Sequence, residues 1–144
     1  MATINPYLTF NGNCEDAFNF YKSVFGGEFG YMGRFKEMPP TDGMNVPEAE
    51  GNKIMHVSLP ISKETILMGS DTSAAFGQTA NPGTNFSISI TAGSKAEADK
   101  LFNAVAAGGN ITMPLADTFW GSYFGMCTDK FGIAWMMSYD EPKK

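Results

Sequence analysis

Apolar positions along this chain switch period several times, and each switch predicts an element. Pro6 to Phe10 reads as a short extended segment. Cys14, Ala17, Phe18, Tyr21, Val24 and Phe25 then recur at helical spacing and form one broad apolar stripe. Asn13 offers a capping oxygen just before it, and Asp16 lies in the first turn, where the helix dipole favours negative charge. Gly26-Gly27 ends the helix, because glycine accepts the left-handed conformation found there. Glu28 to Phe35 predicts a strand interrupted by Gly30 and Gly33. Lys36 to Gly51 carries Pro39-Pro40, Pro47 and several acids with no apolar period. It reads as a loop, open to roles as a lid, a partner-binding segment or plain surface.

Lys53 to Pro60 alternates, with Met55, Val57 and Leu59 facing one way and Ile54, His56 and Ser58 the other. Glu64 to Ser70 follows as a second strand, giving a hairpin. Asp71 to Gly83 is small and polar and ends in the turn signal Asn81-Pro82-Gly83. Thr84 to Thr91 alternates again, with Phe86, Ile88 and Ile90 set against Asn85, Ser87, Ser89 and Thr91. Ser94 and Glu97 form a capping box, and Ala98, Leu101, Phe102 and Val105 trace a second helical face that stops at Gly108-Gly109. Three strands follow, over 110–115, 121–128 and 133–139, with a tight Asp129-Lys-Phe-Gly132 turn before the last. The order is strand, helix, three strands, twice over. The two helix caps lie roughly 80 residues apart, as do the two Gly-Gly stops, the signature of a duplicated unit.

The predicted fold is α+β: two tandem βαβββ modules whose curved mixed sheets surround a cup, with the helices on the outer face. Residues 1–72 form the first module, 73–83 the connection and 84–144 the second. A chain of 144 residues buries about two-thirds of its unfolded surface, enough to fold without metal or disulfide. The 43% apolar content belongs to a globular domain. A net charge of −5, with scattered Lys and Arg, argues against nucleic acid. No apolar run approaches the ~20 residues of a membrane span, and the start of the chain lacks the pattern of a signal peptide. Cys14 and Cys127 show no zinc spacing and read as two reduced thiols of a cytoplasmic protein.

Several stretches together carry a resemblance: Pro6-Tyr-Leu-Thr-Phe10, Asn11 to Ala17, Phe20-Tyr21, Val24 to Gly27, Met55-His56, Trp120-Gly121, and Thr128-Asp129 through Phe131-Gly132 to Trp135. The chain resembles the vicinal oxygen chelate superfamily, the glyoxalase, bleomycin-resistance and extradiol-dioxygenase group. Within it the chain is most similar to the PhnB-like branch, whose members often carry a 3-demethylubiquinone methyltransferase label. The resemblance implies paired βαβββ modules and commonly a homodimer. In metal-dependent members four strands present His, Gln or Glu to a divalent ion. Laid on that pattern, this chain offers Pro6, Met68, Asn85 and Met136. These include two thioethers suited to soft ions and one weak amide, so the expectation is that the divalent centre is absent.

His56 is the only histidine, and it falls on the polar side of its strand. It is the tentative catalytic or ligand-contacting residue, and a purely structural hydrogen bond is the competing reading. The resemblance favours function, since the PhnB-like branch tends to carry a histidine here. Trp120 and Tyr123 suggest an aromatic rim, although core or dimer packing explains them equally; Trp135 is expected in the core. The expected ligand-binding set is His56, Met68, Asn85, Ser87, Trp120, Tyr123 and Met136, with a small, partly apolar molecule as partner. No cofactor is predicted. No glycine-rich strand-to-helix turn supports S-adenosylmethionine. Whether the protein is an enzyme stays open. A metal-dependent lyase, isomerase or dioxygenase is the first alternative, and a structural or interaction protein the second.

Overall fold

The strand–helix–three-strand order is present twice in the computed structural model, which describes residues 2–37, 48–73 and 79–140. The first unit, Met1–Asn81, holds β1 (Tyr7–Phe10), α1 (Cys14–Phe25), β2 (Tyr31–Arg34), β3 (Ile54–Pro60) and β4 (Ile66–Asp71). The second unit, Pro82–Lys144, holds β5 (Ile88–Thr91), α2 (Lys95–Ala106), β6 (Asn110–Asp117), β7 (Ser122–Thr128) and β8 (Ala134–Asp140). Their sheets are ordered β1-β4-β3-β2 and β5-β8-β7-β6. In each sheet the first strand runs parallel to the last and the remaining pairs are antiparallel. A parallel pair needs a crossover connection. The chain is α+β, with tandem βαβββ modules, as the periodicities predict.

The boundary between the units falls inside the predicted connection, and Ala80 belongs to the first unit. The Asn11 side chain donates to the Ala80 carbonyl at 2.8 Å and accepts from its N–H at 2.9 Å. Residues 74–78 of the connection lie outside the described residues, as do residues 38–47 of the predicted 36–51 loop. The described ends of that loop form short 3-10 turns, Phe35–Glu37 and Glu48–Glu50. They are joined where Lys36 N–H bonds the Gly51 carbonyl at 3.0 Å.

Leu8, Phe10, Val57, Leu59 and Leu67 of the first sheet are buried, as are Cys14, Ala17, Phe18, Tyr21 and Val24 of α1. Each large side chain buried this way contributes about 1.5–3 kcal/mol. Gly69 allows the close approach of helix to sheet. A Cβ there would lie 2.6 Å from the Phe18 ring and 2.7 Å from the Leu8 carbonyl oxygen. Val57 and Leu59 face inward as the alternation predicts, but Ile54 joins them in place of Met55. The β2–β3 register jumps from Gly33↔His56 to Arg34↔Ile54. One extra residue in β3 inverts the facing of everything before it.

Asn13 does not cap α1 with its side chain, contrary to the local reading. The carboxylate of Asp71, at the end of β4, takes that role. Its Oδ1 accepts from Gly12 N–H and Cys14 N–H, both at 2.9 Å, and its Oδ2 accepts from Ile54 N–H at 2.9 Å. Asp71 is only 2% exposed. Three hydrogen bonds and the positive end of the helix dipole offset the cost of burying that charge. Near the surface, Arg34 of β2 grips Glu15 of α1 at two points, 3.0 and 2.7 Å. That hydrogen bonding holds the Glu15 carboxyl below its ordinary value, against the opposing effect of burial.

In the second unit Ser94 Oγ accepts from Glu97 N–H at 3.0 Å, as the capping box predicts. The Glu97 carboxylate reaches back to Gly93 N–H at 2.9 Å rather than to Ser94. Ala98, Phe102, Val105, Cys127, Trp135 and Met137 are buried. A second buried carboxylate, Asp129, organises the turn before β8. It accepts from Phe131 and Ile133 N–H at 2.8 and 3.0 Å and from the Trp135 indole at 2.8 Å. The strand predicted from Thr84 begins only at Ile88, and Phe86 is exposed.

Two substitutions test these contacts. Asp71→Ala leaves the buried Cys14 and Ile54 N–H groups and the part-buried Gly12 N–H without their acceptor and should lower unfolding free energy by about 3 kcal/mol or more in denaturant titrations. A loss below about 0.5 kcal/mol would show that water replaces the carboxylate. The Glu15 charge contributes stability above its ordinary value of 4.5, and that contribution fades as pH falls through the lowered value. Glu15→Gln should therefore cost about 0.5 kcal/mol near neutrality and flatten the acid limb of the stability curve.

Candidate functional site

Strand alternation separates two faces in each sheet. In the first unit the face turned away from α1 carries Tyr31, Ser58, Met68 and Tyr7 as one cross-strand row. His56 stands beside that row, opposite Gly33. The missing side chain at Gly33 makes room for Tyr31. A Cβ there would lie 2.8 Å from ring carbons of Tyr31. The imidazole consequently lies between two phenol rings, with centroids 5.7 Å away for Tyr7 and 5.9 Å for Tyr31.

The Tyr7 hydroxyl is 3.2 Å from His56 Nδ1. The phenol donates when that nitrogen is unprotonated and accepts when it carries the proton. Tyr7 and Tyr31 are 48% and 49% exposed, and His56 is half-buried, so solvent and small molecules reach the cluster. An imidazole oriented through one nitrogen can donate, accept or move a proton through the other. Met68 is a diagonal neighbour of His56 on the same face, since Ser58 is its direct partner.

The second unit carries a different surface. Ser89, Met136, Met126 and Met113 form a cross-strand row on the face turned away from α2. Trp120 is 57% exposed in the turn between β6 and β7, and its ring meets Phe124 at 6.0 Å and Phe119 at 5.0 Å. Tyr123, expected beside Trp120, stands on the helix side instead. Its hydroxyl donates to Asp99 of α2 at 2.5 Å, and the Lys95 ammonium lies 5.2 Å from its ring centroid. The Asp99 carboxylate holds that phenol above its ordinary value. Asn85 and Ser87 are exposed in the segment before β5. Of the expected set, His56 and Met68 share the first unit's face and Met136 lies on the second's; Trp120 joins Phe124, while Asn85, Ser87 and Tyr123 stand elsewhere.

The strand registers give the cross-strand partners of two residues laid on that metal pattern: Met68 is opposite Tyr7, and Met136 is opposite Ser89. Phenol, thioether and hydroxyl groups, even with one imidazole, do not fit a hard or borderline divalent ion. Among the described residues no three His, Cys, Asp or Glu side chains come together. The thiols are no better suited to chemistry. Burial, reinforced by Asp71 and Glu15, pushes Cys14 far up, and burial with Asp129 pushes Cys127 up to about 11. Both are therefore protonated near neutrality and poor nucleophiles.

Paired βαβββ units, each a mixed sheet with its own helix, define a vicinal oxygen chelate fold. A sequence profile of the 3-demethylubiquinone-9 3-methyltransferase family matches residues 2–138. Protein YjdN of Escherichia coli (strain K12) is 34% identical, over 94% of this chain and 93% of that protein. The crystal structure of protein PA1353 from Pseudomonas aeruginosa is 41% identical, with a TM-score of 0.83 over 99% of this chain and 100% of that one. A PhnB protein from Bacillus cereus is 27% identical, with a TM-score of 0.72 over 96% and 99% of the two chains. The fold alone is shared with a glyoxalase/bleomycin resistance protein from Albidiferax ferrireducens T118, 15% identical with a TM-score of 0.62 over 95% of this chain and 97% of that one. The chain belongs to the PhnB-like family of the vicinal oxygen chelate superfamily.

Tyr7 was legible as an outward position, because Leu8 and Phe10 alternate with it. The position of Tyr31 was hidden in a strand broken by glycines. The Tyr7–His56 contact is open to test, since one histidine gives one set of imidazole signals. Tyr7→Phe should shift the His56 Nδ1 resonance in nitrogen NMR while costing less than about 1 kcal/mol of stability. An unmoved resonance would mean that the hydroxyl and the imidazole do not interact.

Proposed function

We propose that this PhnB-like protein binds a small, partly apolar molecule on the face of the first unit that carries His56. Tyr7 and Tyr31 flank the bound molecule, and His56 serves as its hydrogen-bonding or proton-transferring partner. Met68 supplies adaptable apolar contact. The observation that carries this reading is the single imidazole held between two accessible phenols, one within hydrogen-bond distance of Nδ1. The opposite face of the same sheet is filled by core packing, so this face is the one free for chemistry. The protein acts without the divalent metal of other superfamily members, because the donor set does not suit such an ion. It works as a cytoplasmic homodimer. The described residues include no helix long and apolar enough to cross a membrane.

Methyl transfer, the activity in the family's description, finds little support in these residues. Both sheets are mixed, whereas nucleotide-type cofactors favour parallel sheets with a glycine-rich strand-to-helix turn. In the turn between β1 and α1, the Gly12 and Cys14 N–H groups are already bonded to Asp71.

His56→Gln tests the reading. Binding of compounds selected from a library of small, partly apolar molecules should weaken by about tenfold or more, equivalent to about 1.4 kcal/mol. Unchanged affinity, with only stability altered, would leave His56 a structural residue. Sedimentation equilibrium should give the mass of two 15.6 kDa chains, and a monomer mass across the accessible concentration range would remove the dimer from the account.

A further inference from the structure

The row of thioethers in the second unit has no role in packing against α2 and none in the proposed binding face. Met113 is the cross-strand partner of Met126, and Met126 is the partner of Met136. The three residues come from three adjacent strands, β6, β7 and β8. Direct partners in a regular pairing, such as Met126 and Met136, point to the same side of a sheet, with Cβ atoms about 4.5–5.5 Å apart; the β6–β7 register shifts on either side of the Met113–Met126 pair. The intervening positions Cys127, Trp135 and Met137 are buried, and Met113, Met126 and Met136 all retain solvent access. Met113 is 44% exposed.

A methionine side chain has three rotatable bonds, so thioethers on neighbouring strands can converge on one point. Thioether sulfur is a soft donor that favours soft ions such as Cu(I) over Mg, Ca or Mn. Ser89, at the end of the row, offers a hydroxyl, and no charged side chain occupies a position in the row. Competing hard ligands are therefore absent from the row itself.

We propose that Met113, Met126 and Met136 form a site for one soft monovalent metal ion, Cu(I) or its analogue Ag(I). All three residues stand on strands of the second unit. It takes up the ion without electron transfer, by sulfur lone-pair donation from three neutral thioethers. The two thiols compete poorly, because both are buried and free and their protons are held well above neutral pH.

The test uses full-length protein with every methionine methyl carbon labelled, titrated with Ag(I) and, without oxygen, with Cu(I). The Met113, Met126 and Met136 methyl signals should shift together and saturate at one ion per chain, with the other methionines unmoved. Met126→Leu and Met136→Leu conserve volume and should each weaken binding by at least about tenfold, the scale seen even for outer-shell changes at metal sites. His56→Gln should leave this binding unchanged. First uptake at Cys14 or Cys127, no shift of the three methyls, or wild-type affinity in both leucine variants would overturn the assignment.

Discussion

The Asp71 carboxylate is the contact on which the first unit depends. It accepts backbone hydrogen bonds from the turn after β1, the start of α1 and the start of β3. The first two segments are neighbours, but β3 begins some 40 residues later and Asp71 itself closes β4. A buried charge is tolerated only when its acceptors are filled, so Asp71 imposes one arrangement on the segments around it. Ile54, which donates to Asp71, stands two residues before His56. Anchoring the start of β3 against β4 therefore sets the register that brings His56 to Tyr7. The chemistry of one face is positioned by a charge buried at the edge of the other.

That division of labour recurs in both units. One face of each sheet is apolar and packed with its own helix; the alternate face keeps side chains with donors, acceptors or soft sulfur. In the first unit the alternate face concentrates hydroxyl and imidazole groups around a glycine gap at Gly33. In the second it presents thioethers, with exposed aromatic rings at the β6–β7 turn. The two units share one strand order, and their alternate faces differ in chemistry. Among the described residues neither unit brings three His, Cys, Asp or Glu side chains together.

Much of the architecture was legible because it rests on local periodicity. The helix stripe beginning at Cys14, the Ser94–Glu97 cap and the glycine stops each act within a few residues. What escaped were the contacts made at long range. Asn13 has the right side chain for a cap, but Asp71, 57 residues beyond Cys14, takes the position. Ile54 and Met55 exchange faces because of a bulge that no alternation pattern reveals. Tyr123 shares its strand with outward residues, yet its parity with Cys127 turns it toward α2 and Asp99. Site residues were only partly readable for the same reason. His56 could be singled out by its type and facing, whereas its two phenol neighbours come from separate strands and depend on sheet order.

The proposed function places the small molecule on the face that carries His56. The most direct measurement is a set of intermolecular nuclear Overhauser contacts between a bound compound and the labelled protein. Contacts are expected to ring protons of His56, Tyr7 and Tyr31 and to the Met68 methyl group, with none to α1. Contacts confined to other surfaces, with the His56 ring untouched, would contradict it.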